Sequence, residues 1–120
     1  MILLDSNILI YSAQADYEHL RSLVTDPENS VSSFTMLEVL GFPALTPRDK
    51  VYFNSVFTVL DVKEISLSIV QQAIQLRQRR KMSPGDALIA ATALHFGLEL
   101  YTRNVSDFDW ITGLTVVNPL

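Results

Sequence analysis

The sequence contains no cysteine. That excludes a disulfide scaffold, a cysteine nucleophile and a thiolate metal site. It has only 4 glycines, and none belongs to a phosphate-cradling loop. Charged residues are scarce at 18%, while hydrophobic residues reach 48% and aromatics are spread along the chain, so disorder is not expected. No apolar run approaches the length of a membrane span. The first such run is cut at Asp5 with no basic segment before it, so no signal peptide is expected. Positive charge does not dominate either. The formal net charge is -4, and whole-chain charge makes no case for nucleic-acid binding. His19 and His95 stand alone without ligand spacing, and the serines show no nucleophile elbow. The expectation is a soluble cytoplasmic protein folded as one domain over residues 1–120, with no membrane partner.

What is present begins with Ile2, Leu3 and Leu4. This short run without polar alternation suits a strand buried on both faces. Asp5, Ser6 and Asn7 follow, all good helix starters, so the chain opens strand, tight turn, helix. One or two helices are expected from Asn7 to about Thr25, with a weak spot near Ala15 and Asp16. Val31 to Ser33 and Val59 to Val62 are strand candidates. Phe34 to Leu40 has helical spacing, and Thr46-Pro47 starts another helix. Ser66 to Lys81 reads as a longer helix, and Asp86 to Phe96 as a central buried one, small and apolar almost all round. Leu98 to Tyr101 and Thr115 to Val117 close the chain as strands. Strands alternating with helices predict an α/β fold, a parallel sheet covered on both faces.

Acidic residues collect at element boundaries. Asp5 follows the first strand, Glu38 lies in the helix after the second, and Asp107 follows the Leu98–Tyr101 strand. In a parallel sheet such junctions share one edge, where ligands bind. Asp86 starts the buried helix, and topology places it at that edge less directly. Each acid also has a capping explanation: Asp5 or Asn7 for the first helix, Thr35-x-x-Glu38 and Ser83-x-x-Asp86 as capping boxes, Asn104 for the turn holding Asp107. Four carboxylates cannot crowd together without cost. A divalent cation removes the conflict, and oxygen donors describe Mg²⁺ or Mn²⁺, which suit phosphate chemistry. Arg77, Arg79, Arg80 and Lys81 form a compact basic cluster that also reads as a solvated helix end.

In chain order, four pieces carry a family likeness. They are Leu4-Asp5-Ser6-Asn7-Ile8-Leu9-Ile10, Thr35-x-x-Glu38, Asp86-Ala87-Leu88-Ile89-Ala90-Ala91-Thr92-Ala93, and Thr102-Arg103-Asn104-Val105-Ser106-Asp107-Phe108. The chain resembles the PIN-domain ribonucleases, specifically the VapC-type toxins of toxin–antitoxin pairs. The resemblance implies a three-layer α/β/α sandwich, a Mg²⁺- or Mn²⁺-dependent endoribonuclease, a homodimer and a cognate antitoxin that covers the site. It makes Asp5, Glu38, Asp86 and Asp107 the catalytic and metal-binding acids. Ser6, Asn7, Thr102 and Asn104 become polar support, with Ser6 where many members carry threonine. Arg77, Arg80, Lys81 and Arg103 are candidates to hold RNA phosphates.

Two other classes remain open from sequence. An aspartyl-phosphate phosphohydrolase also ends its first strand in aspartate, but it would want a second acid where this chain has Asn7. A non-enzymatic interaction module would use the carboxylates as caps and Tyr11, Phe42 or Trp110 as anchors.

Overall fold

The computed structural model describes residues 1–120. Five short strands form one sheet: β1 (Ile2–Leu4), β2 (Ser30–Ser32), β3 (Asp61–Lys63), β4 (Glu99–Tyr101) and β5 (Val116–Val117). Their order is β3-β2-β1-β4-β5 and every pairing is parallel. β1 is central, with Leu3 opposite Ser30 on one side and Leu100 on the other. A strand so enclosed has no solvent face, which is why its residues are uniformly apolar.

Leu3 and Leu4 point to opposite faces, and each seeds a separate core. Leu3 packs with residues of α5 (Leu67–Arg79) and α6 (Pro84–Phe96), among them Ile69, Ala73, Leu76, Ala87 and Ala90. Leu4 packs with residues of α1 (Ser6–Ser12), α2 (Arg21–Val24), α3 (Ser33–Leu40) and α4 (Pro47–Val59), including Ile8, Leu9, Val24, Val39, Phe53 and Phe57. The expected three-layer α/β/α sandwich is therefore present. No helix is long and apolar enough to cross a membrane.

The weak spot at Ala15 is a real break. α1 ends at Ser12, and a 3₁₀ segment (Ala15–Leu20) carries the chain to α2. The freed Ser12 carbonyl accepts from the Arg21 Nε (3.3 Å) and from the Tyr52 hydroxyl (3.3 Å). Several boundaries shift by one or two residues from expectation, β2 among them at Ser30–Ser32 rather than Val31 to Ser33, and two shifts have a plain cause. β3 starts at Asp61 because α4 runs through Val59, and α6 starts two residues early at Pro84, capped by Ser83. Gly85 sits where α6 meets α3. A Cβ there would lie 2.8 Å from the Phe34 ring, so any larger residue requires that ring to move.

Candidate active site

All strands of a parallel sheet end on one edge. A helix leading into such a strand runs antiparallel to it, so its first turn lies on that same edge. This geometry gathers Asp5 after β1, Glu38 on α3 after β2, Asp86 in the first turn of α6, and Asp107 in the 3₁₀ turn (Val105–Asp107) after β4.

Asp5 is the most enclosed of them, with 7% of its surface exposed. Its Oδ1 accepts from the Ser6 backbone N–H (2.8 Å), which makes it the N-cap of α1. Its Oδ2 accepts from the Thr102 hydroxyl (2.8 Å) and from the Asn7 amide (3.4 Å). The Thr102 oxygen in turn accepts from Asn7 Nδ2 (3.3 Å) and from the Asn104 backbone N–H (3.1 Å). Asn7 Oδ1 accepts from the Arg103 N–H (3.2 Å). Capping and site-building are thus one network, which joins the end of β1 to the end of β4.

Burial pushes the Asp5 carboxyl up to about 6, against the hydrogen bonds from Thr102 and Ser6; the charges of Asp86 and Glu38 push the same way. Asp86 is also raised, first by burial, then by the Asp107 charge and, less, by Glu38, with the Ser83 hydroxyl opposing. Asp5 and Asp86 are thus each raised in part by neighbouring acids of the set. Thr102→Val removes the largest restraint on Asp5. In the metal-free protein the Asp5 midpoint, followed by carboxyl-carbon NMR, is expected to move further upward from about 6. An unchanged midpoint would show that burial alone sets it.

Glu38 is not a cap. Ser32 caps α3 by accepting from Phe34 N–H (3.1 Å), so the Thr35-x-x-Glu38 capping box is overturned and Glu38 lies beyond the first turn. Its Oε1 accepts from the Ser6 hydroxyl at 2.5 Å. Thr35, one turn earlier on the same helix face, is fully buried, and its hydroxyl oxygen has no hydrogen-bond partner. Asn104 also makes no side-chain cap bond, contrary to the capping expectation; Thr102 organises that turn.

An open cleft of about 540 Å³ runs from the acids onto the basic cluster, lined by Arg77, Arg80, Lys81, Met82, Ser83, Asp86, Asp107 and Trp110. Three of the four expected phosphate-binding cations are here, facing two of the acids. Arg103 is not among them; it lies over the Tyr11 ring, 5.4 Å from its centroid. Trp110 and Ser83 were not singled out as site residues. The signal for Trp110 was its position three residues after Asp107, and its indole N–H indeed donates to the Asp107 carbonyl (3.0 Å). A second groove, of about 440 Å³, has Glu38 on its wall beside Ile10, Val39, Phe42, Leu45 and Phe53. Leu37 and Phe42 are well exposed on this side of α3.

No three acidic or histidine side chains converge tightly enough to cage a metal ion by themselves. The donor set still suits a hard divalent cation. Mg²⁺ is commonly held by one or two carboxylates, with waters and substrate phosphates completing the shell. The Asp5 and Asp86 carboxyls are raised first by burial and further by neighbouring acids, and a bound cation would favour the charged form of both.

Comparison with known proteins agrees with this fold. A PIN-domain family model matches residues 2–109. Among solved structures, a toxin–antitoxin complex from Klebsiella pneumoniae contains a chain of 32% identity and TM-score 0.82, covering 100% of this chain and 98% of that one. DNA-bound VapBC from Salmonella typhimurium contains one of 24% identity and TM-score 0.82, with 97% and 96% covered. VapC20 of Mycobacterium tuberculosis, described as a sarcin–ricin loop cleaving toxin, shares the fold at 19% identity and TM-score 0.70, with 92% and 94% covered. No protein of curated function matches the sequence.

Proposed function

This chain belongs to the PIN-domain family, and from that premise we propose that it is a metal-dependent endoribonuclease, the toxin of a type II toxin–antitoxin pair. The observation that carries the reading is the acidic edge opening into a basic cleft: carboxylates for a cation on one wall, cations for phosphates on the other. The family is typically metal-dependent. Asp5, Glu38, Asp86 and Asp107 would hold Mg²⁺ or Mn²⁺. When bound, such an ion polarises a phosphodiester and makes water a competent nucleophile at neutral pH.

The chain's own residues do the positioning. Ser6 fixes Glu38 through its hydroxyl, while Thr102 and Asn7 fix the Asp5 carboxylate. Asn104, through its backbone N–H to Thr102, ties the turn that carries Asp107. Arg77, Arg80 and Lys81 bind the RNA backbone, which sets register without reading sequence. Arg103 extends the positive surface on the far side of Asp5.

The partner is a cognate antitoxin, as in the Klebsiella complex, and Leu37 and Phe42 beside Glu38 offer apolar surface for it. The working unit is a homodimer of single-domain chains in the cytoplasm. The phosphohydrolase alternative is disfavoured, because Asn7 stands where that chemistry wants a second acid, and its amide is spent on Asp5 and Thr102. Against a purely non-enzymatic module stands the gathering of four acids at one sheet edge, next to a cleft lined by three cations.

Wild type and Asp5→Asn, purified in parallel, test the reading. Wild type is expected to cleave RNA with Mn²⁺ or Mg²⁺, to stop with EDTA and to recover on re-addition of metal. Equal cleavage by both proteins would assign it to a contaminant. No cleavage, together with no Mn²⁺-dependent rise in melting temperature, would overturn the proposal.

A further inference from the structure

We infer that Arg21 and Arg48 form a carboxylate-binding pocket, which anchors an acidic residue of a protein partner laid in the groove beside Glu38. That the occupant is a partner protein rests on the toxin–antitoxin reading; the charge it must carry is what the pocket adds. Ala13 and Asp49 line both the apolar groove and a second hollow of about 250 Å³, walled otherwise by Arg21, Arg48 and Tyr52. The groove therefore opens directly into this hollow, whereas Glu38 lines the groove alone.

The two arginines have no carboxylate of their own. The one ion pair of the molecule joins Lys63 to Asp61, so neither guanidinium is neutralised, even by Asp49 on the same wall. Arg21 is braced, because its Nε donates to the Ser12 carbonyl (3.3 Å) while its terminal amines make no hydrogen bond. Ser12 is fully buried and gives its own hydroxyl proton to the Leu9 carbonyl (2.6 Å). The Tyr52 proton is thus spent on Ser12, and the pocket's donors are the arginines. Arg48 is the second residue of the 13-residue α4, where free backbone amides already present positive charge. A cation there costs the helix stability, so the helix gives no reason for it. Two unpaired guanidiniums at that end, in a protein of net charge -4, make a place for an anion.

The groove decides which anion. Ile10, Val39, Phe42, Leu45 and Phe53 wall it, its acids are Glu38 and Asp49, and it holds no cation. RNA would lay phosphates against carboxylates and leave apolar walls uncovered. An amphipathic protein segment covers those walls and reaches the arginines with Asp or Glu, which a guanidinium can hold through two hydrogen bonds. Glu38 repels an acid elsewhere in the groove, so the pocket also fixes the direction in which the segment lies.

Random peptides of about 16 residues, some four helical turns, are displayed on phage, selected on the wild-type chain and counter-selected on the Arg21→Gln, Arg48→Gln protein. Survivors are expected to carry Asp or Glu beside an apolar stripe. As free peptides in calorimetry they should bind the double variant roughly 10- to 100-fold more weakly. The charge-reversed protein Arg21→Glu, Arg48→Glu should bind the same peptides only after their acid is replaced by lysine. That regained binding separates a charge contact from lost folding.

RNA cleavage by the double glutamine variant should match wild type. In the Asp5→Asn background, a single-stranded RNA of about 12 nucleotides should bind equally with and without the two glutamines. RNA affinity that falls with them would make the hollow a phosphate subsite and overturn the inference. So would survivors without an acid, or no peptide that tells the two proteins apart. Failure of wild type to cleave RNA would overturn the nuclease reading alone and leave the peptide result standing.

Discussion

Asp5→Asn is expected to make the metal-free protein more stable at neutral pH and, in the same step, to abolish RNA cleavage. The Asp5 carboxyl is raised from 3.8 to about 6 in the folded chain, chiefly by burial. Between those values the folded state keeps a proton that the unfolded state has lost. Stability from this group is therefore fully present below about 4 and is lost as pH rises through about 6. Above that range the buried charge costs on the order of 3 kcal/mol.

Asparagine carries no charge to bury. Its carbonyl can still accept from the Ser6 N–H, while the bond from the Thr102 hydroxyl is lost and offsets part of the gain. Calorimetry in EDTA should show the two proteins melting together at pH ~3.5, below the unfolded-state value of 3.8. By pH 7.5 the variant should melt higher by roughly 3–10 °C. Mn²⁺ should close the gap by stabilising wild type more than the variant. Cleavage should fall at least ~100-fold, because an essential ligand oxygen is gone. A variant less stable than wild type in EDTA at pH 7.5 would mean that the hydrogen bonds to the carboxylate outweigh its burial.

The second large effect concerns the opposite wall of the cleft. The triple variant Arg77→Gln, Arg80→Gln, Lys81→Gln removes three positive charges from a protein whose net charge is already -4. For single-stranded RNA, the slope of log affinity against log salt should become shallower by about 2. At ~50 mM salt, binding should weaken by roughly 10- to 100-fold. The melting temperature should change less. Arg80 and Lys81 are exposed, but Arg77 Nε donates to the Met82 carbonyl (3.1 Å), so part of any loss of stability belongs to the α5–α6 connection. If affinity and slope are unchanged, the cluster is a solvated helix end and the RNA path lies elsewhere.

The framework was legible where local chemistry and tertiary role coincide. Ile2–Leu4 can only be an enclosed strand, and a carboxylate directly after it must fall on the ligand edge. The α6 sequence is too apolar to lie anywhere but the interior. Legibility failed where several residues competed for one local role. Ser32, Ser33 and Thr35 are all competent caps, and only the point at which β2 ends selects Ser32. That choice removes Glu38 from the capping role and leaves its carboxylate free to accept from the Ser6 hydroxyl. β2 itself is Ser-Val-Ser, buried despite its two hydroxyls, so hydrophobicity marked it weakly. The joining of Trp110 to the basic cluster depends on how α5 and α6 pack, and no spacing within either segment encodes that.

The bond between Asp5 and Thr102 spans 97 positions of the chain. Until β4 docks, β1 has one open side, Asp5 lacks its hydroxyl donor and the turn bearing Asp107 is unplaced. The acidic edge therefore assembles only with the long-range pairing of the sheet, and a chain that has not closed that pairing gathers no acids.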